Sequence, residues 1–307
     1  MTDRPIDPAT LVAAVEAFFA DRDARMLDAI RCAVAREIDA SPPDALAVLS
    51  DRLAATGADW TYYPPDPLAR RIHHAIADIL LPPESALFGV EHATALRGPV
   101  VIVANHLSYA DANLLEILMH RAAVPLAERL TVTAGPKVYS TIERRFSSLC
   151  FGTIKTPQSS AVSSGAAVMQ PRDVARAARR SIEAAHARLC AGDALLVFGE
   201  GTRSRSTSLQ PMLPAVTRYF DGLDTAVLPV AISGTDAMFP IGDNTLRSVP
   251  IVARMRAPVG VRELNVRARG DRRVMMDAIG VAIAAMLPSE YRGVYADAAA
   301  SSQEGVW

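Results

Sequence analysis

From residue 97 onward, short runs suited to β-strands alternate with stretches of helical periodicity, and this alternation restricts the fold more than any other feature. The predicted strands are Val100–Ala104, Leu130–Ala134, Cys150–Lys155, Ala194–Phe198, Ala226–Ile232, Ile251–Arg256 and Val259–Val266. The predicted helices are Asp111–Arg121, Lys137–Ser147, Pro171–Cys190, Pro211–Phe220 and Arg272–Leu287. Such alternation is typical of βαβ units. We therefore predict an α/β fold with a mainly parallel sheet flanked by helices.

The first 92 residues differ in pattern and are predicted to form a small N-terminal helical domain. Helical spacing of apolar residues, interrupted by proline pairs, predicts three helices at residues 8–38, 44–55 and 68–81. The proline-rich connector at 62–67 is expected to be extended, and we find no strand pattern in this region. The predicted organisation is a helical domain at 1–92, an α/β domain at 93–296 and a loose tail at 297–307.

Composition excludes several protein classes. No apolar run approaches the roughly 20 residues that a membrane-spanning helix needs. The first ten residues carry charges and no apolar segment, so we expect no secretory signal. The three cysteines form no CxxC pattern, which suits a reducing cytoplasm and argues against a zinc site.

The net charge of −1 conceals two unlike parts of the chain. Residues 1–94 carry a net charge of −7 and residues 95–307 a net charge of +6. A basic region often binds nucleic acid, a phosphorylated metabolite or anionic lipid, although scattered solvated arginines would give the same sum. No nucleic-acid-binding motif is present, so we expect no nucleic-acid partner.

The segment NHLSYAD at residues 105–111 directly follows the predicted strand at 100–104. If Asp111 accepts the Nδ1 proton of His106, then Nε2 is left as an acceptor that can take a proton from a hydroxyl near neutral pH. Open α/β sheets place their ligands at this end of the strands. The structural alternative is that Asp111 caps a helix and His106 is a hydrogen-bonded turn residue.

The segment FGEGTRSRS at residues 198–206 also follows the carboxyl end of a predicted strand. Its glycines allow a tight turn, and Arg203 and Arg205 can hold a phosphate through charge-assisted hydrogen bonds. The alternative is an exposed basic loop. Neither a Walker loop nor a GxSxG elbow is present, so we interpret Ser108 as structural rather than nucleophilic.

Together these segments resemble the signature of the glycerolipid acyltransferases, the family of glycerol-3-phosphate and lysophosphatidic acid acyltransferases. Its four blocks correspond to NHLSYAD at 105–111, CFGTIK at 150–155, FGEGTRSRS at 198–206 and VLPVAI at 227–232. The resemblance covers about residues 95–240 and implies that His106 is the catalytic base and that Asp111 orients it. It also implies substrate-binding residues: Glu200, Gly201, Thr202 and Arg203 in an acceptor-binding loop, Lys155 and Arg205 at the phosphate, Pro229 near the acyl donor, and Lys137 at a position that is often basic.

Two blocks depart from the family pattern. The third usually has proline before glutamate, where this chain has Gly199, and we expect this glycine to loosen the loop. The second commonly continues to an arginine, where this chain has Thr156, Pro157 and Gln158, which leaves Lys155 as the nearby cation. In this respect the chain is similar to the plant soluble glycerol-3-phosphate acyltransferases, which carry lysine in the second block, Arg-x-Arg in the third, and a helical domain before the α/β domain.

The resemblance implies an O-acyltransferase that moves a fatty acyl group from acyl-CoA or acyl carrier protein to a hydroxyl of glycerol 3-phosphate or lysophosphatidic acid. Backbone N–H groups near residues 199–202 would stabilise the tetrahedral oxyanion. No metal and no cofactor other than the thioester co-substrate is expected. A different lysolipid or a non-phosphate acceptor remains open, as does a non-catalytic lipid- or thioester-binding protein on the same fold.

The products of such a reaction are amphiphiles, so we expect a cytoplasmic protein with peripheral contact to the anionic inner face of a membrane. The candidate amphipathic segments are residues 11–38 and 68–81. The alternative is that their apolar faces pack inside the helical domain.

Overall fold

The computed structural model describes residues 7–17, 19, 22–157, 169–240 and 246–301. The chain divides into two compact units. The first comprises Met1–Leu81 and Ala134–Ser181, and the second comprises Pro82–Thr133 and Ile182–Trp307. A later stretch of chain therefore joins the N-terminal helices in one unit. The domain limits at residues 92 and 296 stay a prediction.

The helices in chain order are α1 (Pro8–Ala17), α2 (Ala24–Asp39), α3 (Ala45–Ala55), α4 (Pro67–Leu80), α5 (Glu91–Thr94), α6 (Asp111–Arg121), α7 (Ile142–Ser148), α8 (Pro171–Cys190), α9 (Thr235–Met238), α10 (Val261–Arg267), α11 (Arg272–Met286) and α12 (Ala296–Ser301). The strands are β1 (Tyr62–Tyr63), β2 (Ala86–Phe88), β3 (Val100–Ala104), β4 (Leu130–Ala134), β5 (Gly152–Lys155), β6 (Ala194–Phe198), β7 (Ala226–Ser233), β8 (Val252–Met255) and β9 (Val259–Gly260). Short 3-10 turns lie at Ala127–Arg129, Pro136–Tyr139, Pro214–Tyr219, Ser289–Tyr291 and Gly293–Tyr295.

The second unit is built on a sheet with the strand order β4-β6-β3-β7-β8-β2. The pairs β4/β6, β6/β3, β3/β7 and β8/β2 are parallel. Strand β8 and the short β9 both run antiparallel to β7. Every residue of β3 is buried, as the continuous apolar sequence of a central parallel strand predicts. The α/β class is confirmed, and the sheet is mixed rather than wholly parallel.

The register of the central strands determines which loops lie next to each other at the carboxyl edge of the sheet. Ala104 at the end of β3 lies opposite Phe198 at the end of β6 and opposite Val230 in β7. Because β3 and β6 are parallel neighbours, the loops that leave their carboxyl ends emerge side by side. This is the edge where open α/β sheets bind ligands.

The first unit packs helices around a short antiparallel pair of β1 with β5, in which Tyr62 lies opposite Ile154. The apolar faces of its helices are turned inward. Ile30 and Val34 of α2 and Leu68 and Ile72 of α4 are buried, which favours packing over membrane contact for these two faces. No helix in the described ranges has both the length and the apolar character needed to cross a membrane.

The prediction that residues 1–92 contain no strand is wrong, because β1 and β2 lie within them. These strands have only two and three residues, too few to show an alternating pattern. They also form by pairing with distant segments of chain, since Ala86 lies opposite Val252.

The single helix predicted at 8–38 is also wrong. Helix α2 begins anew after Asp23, whose side chain accepts a hydrogen bond from the backbone N–H of Met26 at 2.9 Å. An N-cap aspartate starts a helix even where the apolar spacing runs on.

Three further segments differ in type or extent from their predictions. Residues 259–266, predicted as a strand, form only the two-residue β9 before helix α10, in which Val261 and Leu264 are buried at helical spacing. The helix predicted at 137–147 is a 3-10 turn followed by α7, and that at 211–220 is the 3-10 turn Pro214–Tyr219. The predicted loop at 158–170 lies mostly outside the described residues. The tail predicted to be loose from residue 297 is helical as far as the end of α12, and its remainder lies outside the described residues.

Candidate active site

Two loops meet at the carboxyl edge of the central sheet in the second unit. The histidine loop, residues 105–111, leaves β3, and the acceptor loop, residues 199–206, leaves β6. Two backbone hydrogen bonds join them: Gly199 donates to the carbonyl of Ala104 at 3.0 Å, and Ser204 donates to the carbonyl of His106 at 2.8 Å. The structure therefore brings the two most specific sequence motifs together.

The His106–Asp111 pair is formed as predicted. The Nδ1 atom of His106 lies 2.8 Å from Oδ2 of Asp111, whose side chain is fully buried. The same Oδ2 accepts hydrogen bonds from the backbone N–H groups of Leu107 at 2.7 Å and Ser108 at 2.9 Å. Three donors thus converge on one carboxylate oxygen and fix its position.

The predicted structural alternative for Asp111 does not match the geometry. The N-cap of α6 is Ala110, and Asp111 is the first residue of the helix. Its side chain turns back to the preceding loop and accepts from residues 107 and 108 rather than from the helix N–H groups ahead of it. Ser108 is fully buried, and its Oγ accepts from the N–H of Ala110 at 3.3 Å, which agrees with a structural role.

The imidazole of His106 is held on its face as well as at its edge. The ring stacks on Phe198 with a centroid distance of 3.9 Å and an interplanar angle of 13°. Its side chain keeps 18% of its surface exposed. In a neutral imidazole whose Nδ1–H donates to this buried carboxylate, the lone pair is on Nε2, which is the arrangement that a general base requires.

Glu200 joins the two loops from within. It is 3% exposed, and its Oε1 accepts from the backbone N–H of His106 at 2.7 Å while Oε2 accepts from that of Gln210 at 2.9 Å. Burial raises the pKa of this carboxyl to about 7, against the opposing effect of the two N–H donors. Acceptor binding by Glu200 stays a prediction, since the described contacts of its carboxylate are with backbone.

The expectation that Gly199 loosens the acceptor loop does not fit its surroundings. Its carbonyl accepts from the N–H of Leu213 at 2.8 Å, and its own N–H is bonded to β3. A Cβ at this position would lie 2.2 Å from Sδ of Met212. The missing side chain therefore permits close packing. Gly201 has a positive φ of 67°, which glycine adopts without strain.

The two arginines of the acceptor loop lie toward solvent. The guanidinium of Arg203 stacks over the ring of Tyr109 at 3.9 Å, so it is oriented by the histidine loop. Thr202 and Arg205 are exposed. Within the described residues, neither arginine forms an ion pair with a carboxylate, and both can meet an anion at this edge.

The backbone N–H groups expected to stabilise an oxyanion are partly committed elsewhere. That of Gly199 donates to Ala104, and that of Gly201 donates to the carbonyl of Phe198 at 3.0 Å. Within the stretch 199–202 this leaves the amides of Glu200 and Thr202 as candidates.

Asn105 is a residue whose role the sequence analysis missed. Its side-chain amide donates to the carbonyl of Ile232 at 2.9 Å and accepts from the N–H of Ile232 at 2.8 Å. This reciprocal pair ties the start of the histidine loop to β7. The sequence feature that could have indicated this role is the position of Asn105 as the first residue of the motif. Pro229 lies buried in β7, opposite Val103 of β3.

The two lysines belong to the first unit. The ammonium of Lys155 donates to the carbonyl of Gly57 at 2.5 Å and lies 4.6 Å from the centroid of the Trp60 ring. Burial lowers its pKa. Lys137 lies in the 3-10 turn at 136–139, where its carbonyl accepts from Oγ of Ser140 at 2.8 Å. Substrate binding by either lysine stays a prediction.

Comparison with known proteins gives a family match over the region that contains the two loops. A family model described as Acyltransferase matches residues 87–233, which contain both loops and the strands that carry them. Among solved structures, the chain is similar to the crystal structure of the 1-acyl-sn-glycerophosphate (LPA) acyltransferase PlsC from Thermotoga maritima. The two share 16% sequence identity with a TM-score of 0.45, over 90% of this chain and 91% of that chain. No curated protein matches. Both site loops lie inside the region 87–233 that matches the Acyltransferase model, and this match indicates that the chain is an O-acyltransferase enzyme.

Proposed function

We propose that the protein transfers a fatty acyl group from acyl-CoA or acyl carrier protein to a hydroxyl of glycerol 3-phosphate or lysophosphatidic acid, with His106 as the general base. The 2.8 Å contact between His106 Nδ1 and the buried Asp111 carboxylate carries this proposal. That contact leaves Nε2 able to accept a proton, on the sheet edge that also presents the arginines of the acceptor loop.

The reaction proceeds without a covalent enzyme intermediate. His106 Nε2 removes the proton of the acceptor hydroxyl while its oxygen attacks the thioester carbonyl, and the buried Asp111 stabilises the imidazolium. The tetrahedral oxyanion collapses with cleavage of the carbon–sulfur bond. The proton then passes from His106 to the departing thiolate, which restores the base. The N–H groups of Glu200 and Thr202 are the candidate oxyanion donors.

A phosphate on the acceptor is the anion that Arg203 and Arg205 would hold. Two guanidinium groups on a short loop can surround a phosphate with charge-assisted hydrogen bonds. The stacking of Arg203 on Tyr109 links this binding function to the loop that carries the base. A lysolipid without phosphate would make no use of this pair of charges.

We also propose a cytoplasmic location with peripheral contact to anionic membrane. Exposed apolar side chains lie close to the acceptor loop. Tyr109 is 51% exposed beneath Arg203, and Leu213, which is 44% exposed, approaches Gly201. Aromatic and aliphatic side chains beside arginines suit the interface of an anionic bilayer.

A transfer assay tests the proposed function. Labelled acyl-CoA and labelled acyl carrier protein are each offered with glycerol 3-phosphate, lysophosphatidate and a phosphate-free lysolipid. His106→Ala should lower transfer by at least about 10²-fold, the usual contribution of a general base, with an unchanged circular dichroism spectrum. His120→Ala, on the exposed face of α6, is the matched control.

The outcomes separate the candidates. Near-normal turnover by His106→Ala would remove the assigned base. Preference for the phosphate-free lysolipid would remove the acceptor assignment, and no transfer by the unaltered protein in any combination would favour the non-catalytic lipid- or thioester-binding alternative.

A further inference from the structure

Residues beyond the matched family region support the acceptor loop. The C-terminal turn, residues 289–295, packs against the segment 209–213 that follows the acceptor loop. The N–H of Leu209 donates to the carbonyl of Tyr291 at 2.9 Å, and the N–H of Val294 donates to the carbonyl of Leu209 at 3.1 Å. Both the N–H and the carbonyl of Leu209 are therefore hydrogen-bonded to the C-terminal turn.

Tyr295 makes the side-chain contact of this turn with the same segment. Its hydroxyl accepts from the backbone N–H of Met212 at 2.9 Å and donates to Oδ1 of Asp277 in α11 at 2.8 Å. Tyr295 is only 6% exposed. Helix α11 makes room for its ring with Gly280, where a Cβ would lie 2.5 Å from Cζ of Tyr295. A buried hydroxyl with one donor and one acceptor partner has a defined orientation.

From Met212 a short series of hydrogen bonds reaches the base. Leu213, the next residue, donates to Gly199 at the start of the acceptor loop at 2.8 Å. Gln210 donates to Oε2 of Glu200, and Oε1 of Glu200 accepts from the N–H of His106 at 2.7 Å. The segment 209–213 is thus the link between the C-terminal turn and both site loops.

We propose that Tyr295 is a positioning residue, which holds the segment 209–213 so that Glu200 fixes the backbone of His106 and Gly199 fixes the acceptor loop. It touches no reacting atom. The kinetic part of its test rests on the proposed function, whereas the structural part does not.

Two tyrosine variants on the same turn form the experiment. Tyr295→Phe keeps the ring but removes the hydroxyl that holds Met212 and Asp277. Tyr291→Phe is the matched control, because it also removes a tyrosine–aspartate bond, from its hydroxyl to Asp236 at 3.0 Å, while its carbonyl still accepts from Leu209. Amide hydrogen exchange of the intact protein and steady-state kinetics with both substrates are measured on each.

Tyr295→Phe should accelerate exchange at Met212, Gln210 and His106, and should lower kcat/KM for the acceptor about 3- to 10-fold with an unchanged KM for the donor. Tyr291→Phe should alter neither. If Tyr295→Phe does not fold, Asp277→Asn weakens the same hydroxyl's orientation without touching Met212, and a smaller change in the same direction is expected.

Unchanged exchange at Gln210 and His106 in a folded variant of Tyr295 or Asp277 would overturn the proposal, as would equal effects of Tyr295→Phe and Tyr291→Phe. If the unaltered protein shows no acyl transfer but the exchange pattern follows Tyr295 alone, the proposed function fails and the positioning role stands.

Discussion

The histidine loop and the acceptor loop lie side by side, yet their functional side chains are held in opposite ways. Asp111 is fully buried, and three donors converge on one of its oxygens. Arg203 is held by the face of one aromatic ring, and Arg205 is exposed. In the proposed function, the first loop fixes the geometry of a proton transfer, and the second presents charge to an incoming ligand.

The difference follows from what each group must do. A base needs one orientation and one tautomer, and a buried carboxylate with several hydrogen bonds supplies both. An arginine that binds the substrate phosphate must exchange water for that phosphate, so its guanidinium group needs access to solvent. Glu200 shares a feature with each group, since it is buried like Asp111 but belongs to the acceptor loop like Arg203. Substitutions at these three residues should therefore have separable effects.

The largest effect is expected in the histidine loop. Asp111→Asn keeps the shape of the side chain but removes the charge that stabilises the imidazolium. We expect kcat to fall about 10²- to 10⁴-fold, with little change in the acceptor KM. Single-turnover measurements under saturating donor and acceptor would check this. A normal kcat would mean that the buried pair only stabilises the loop.

A smaller effect is expected in the acceptor loop. Arg203→Ala removes a guanidinium that would donate to phosphate, and we expect a rise of about 10- to 100-fold in the acceptor KM, since such bonds contribute roughly 1.5–3 kcal/mol. The donor KM should stay as it is. Arg262→Ala, an exposed arginine of α10, is the control. An unaltered acceptor KM would show that the phosphate is bound elsewhere or is absent.

The smallest effect concerns Glu200, and it is an effect on stability. Its pKa is raised from 4.5 to about 7 by burial, so the folded protein binds a proton here that the unfolded chain releases between these values. The contribution of protonated Glu200 to the free energy of unfolding is thus fully present below about pH 4.5 and is lost as the pH rises through about 7.

Urea unfolding at pH 5 and pH 7 would measure this contribution, with Glu200→Gln as the comparison. The glutamine variant cannot titrate, so the stability of the unaltered protein relative to it should fall from pH 5 to pH 7. If the free energy of unfolding of the unaltered protein, relative to that of Glu200→Gln, stays constant or rises from pH 5 to pH 7, the raised pKa is contradicted.

Much of the site was readable from local sequence. The pairing of His106 with Asp111 follows from their spacing across a strand-to-helix turn, and the adjacency of the two loops follows from parallel strands. The environments of Glu200 and Lys155 could not be read in this way. Glu200 accepts from backbone 94 residues away, and Lys155 donates to a carbonyl 98 residues away.

The sequence alone determined the α/β class, the central strands and the position of the two motifs at the ends of strands, because apolar periodicity and local turns are encoded over a few residues. Tertiary structure decided the short strands β1 and β2 and the inward direction of Glu200. It also decided the contact of Tyr295 with Met212, which joins residues 83 positions apart. Those features depend on which distant backbone donors and acceptors meet once the sheet has formed, and no local pattern records that.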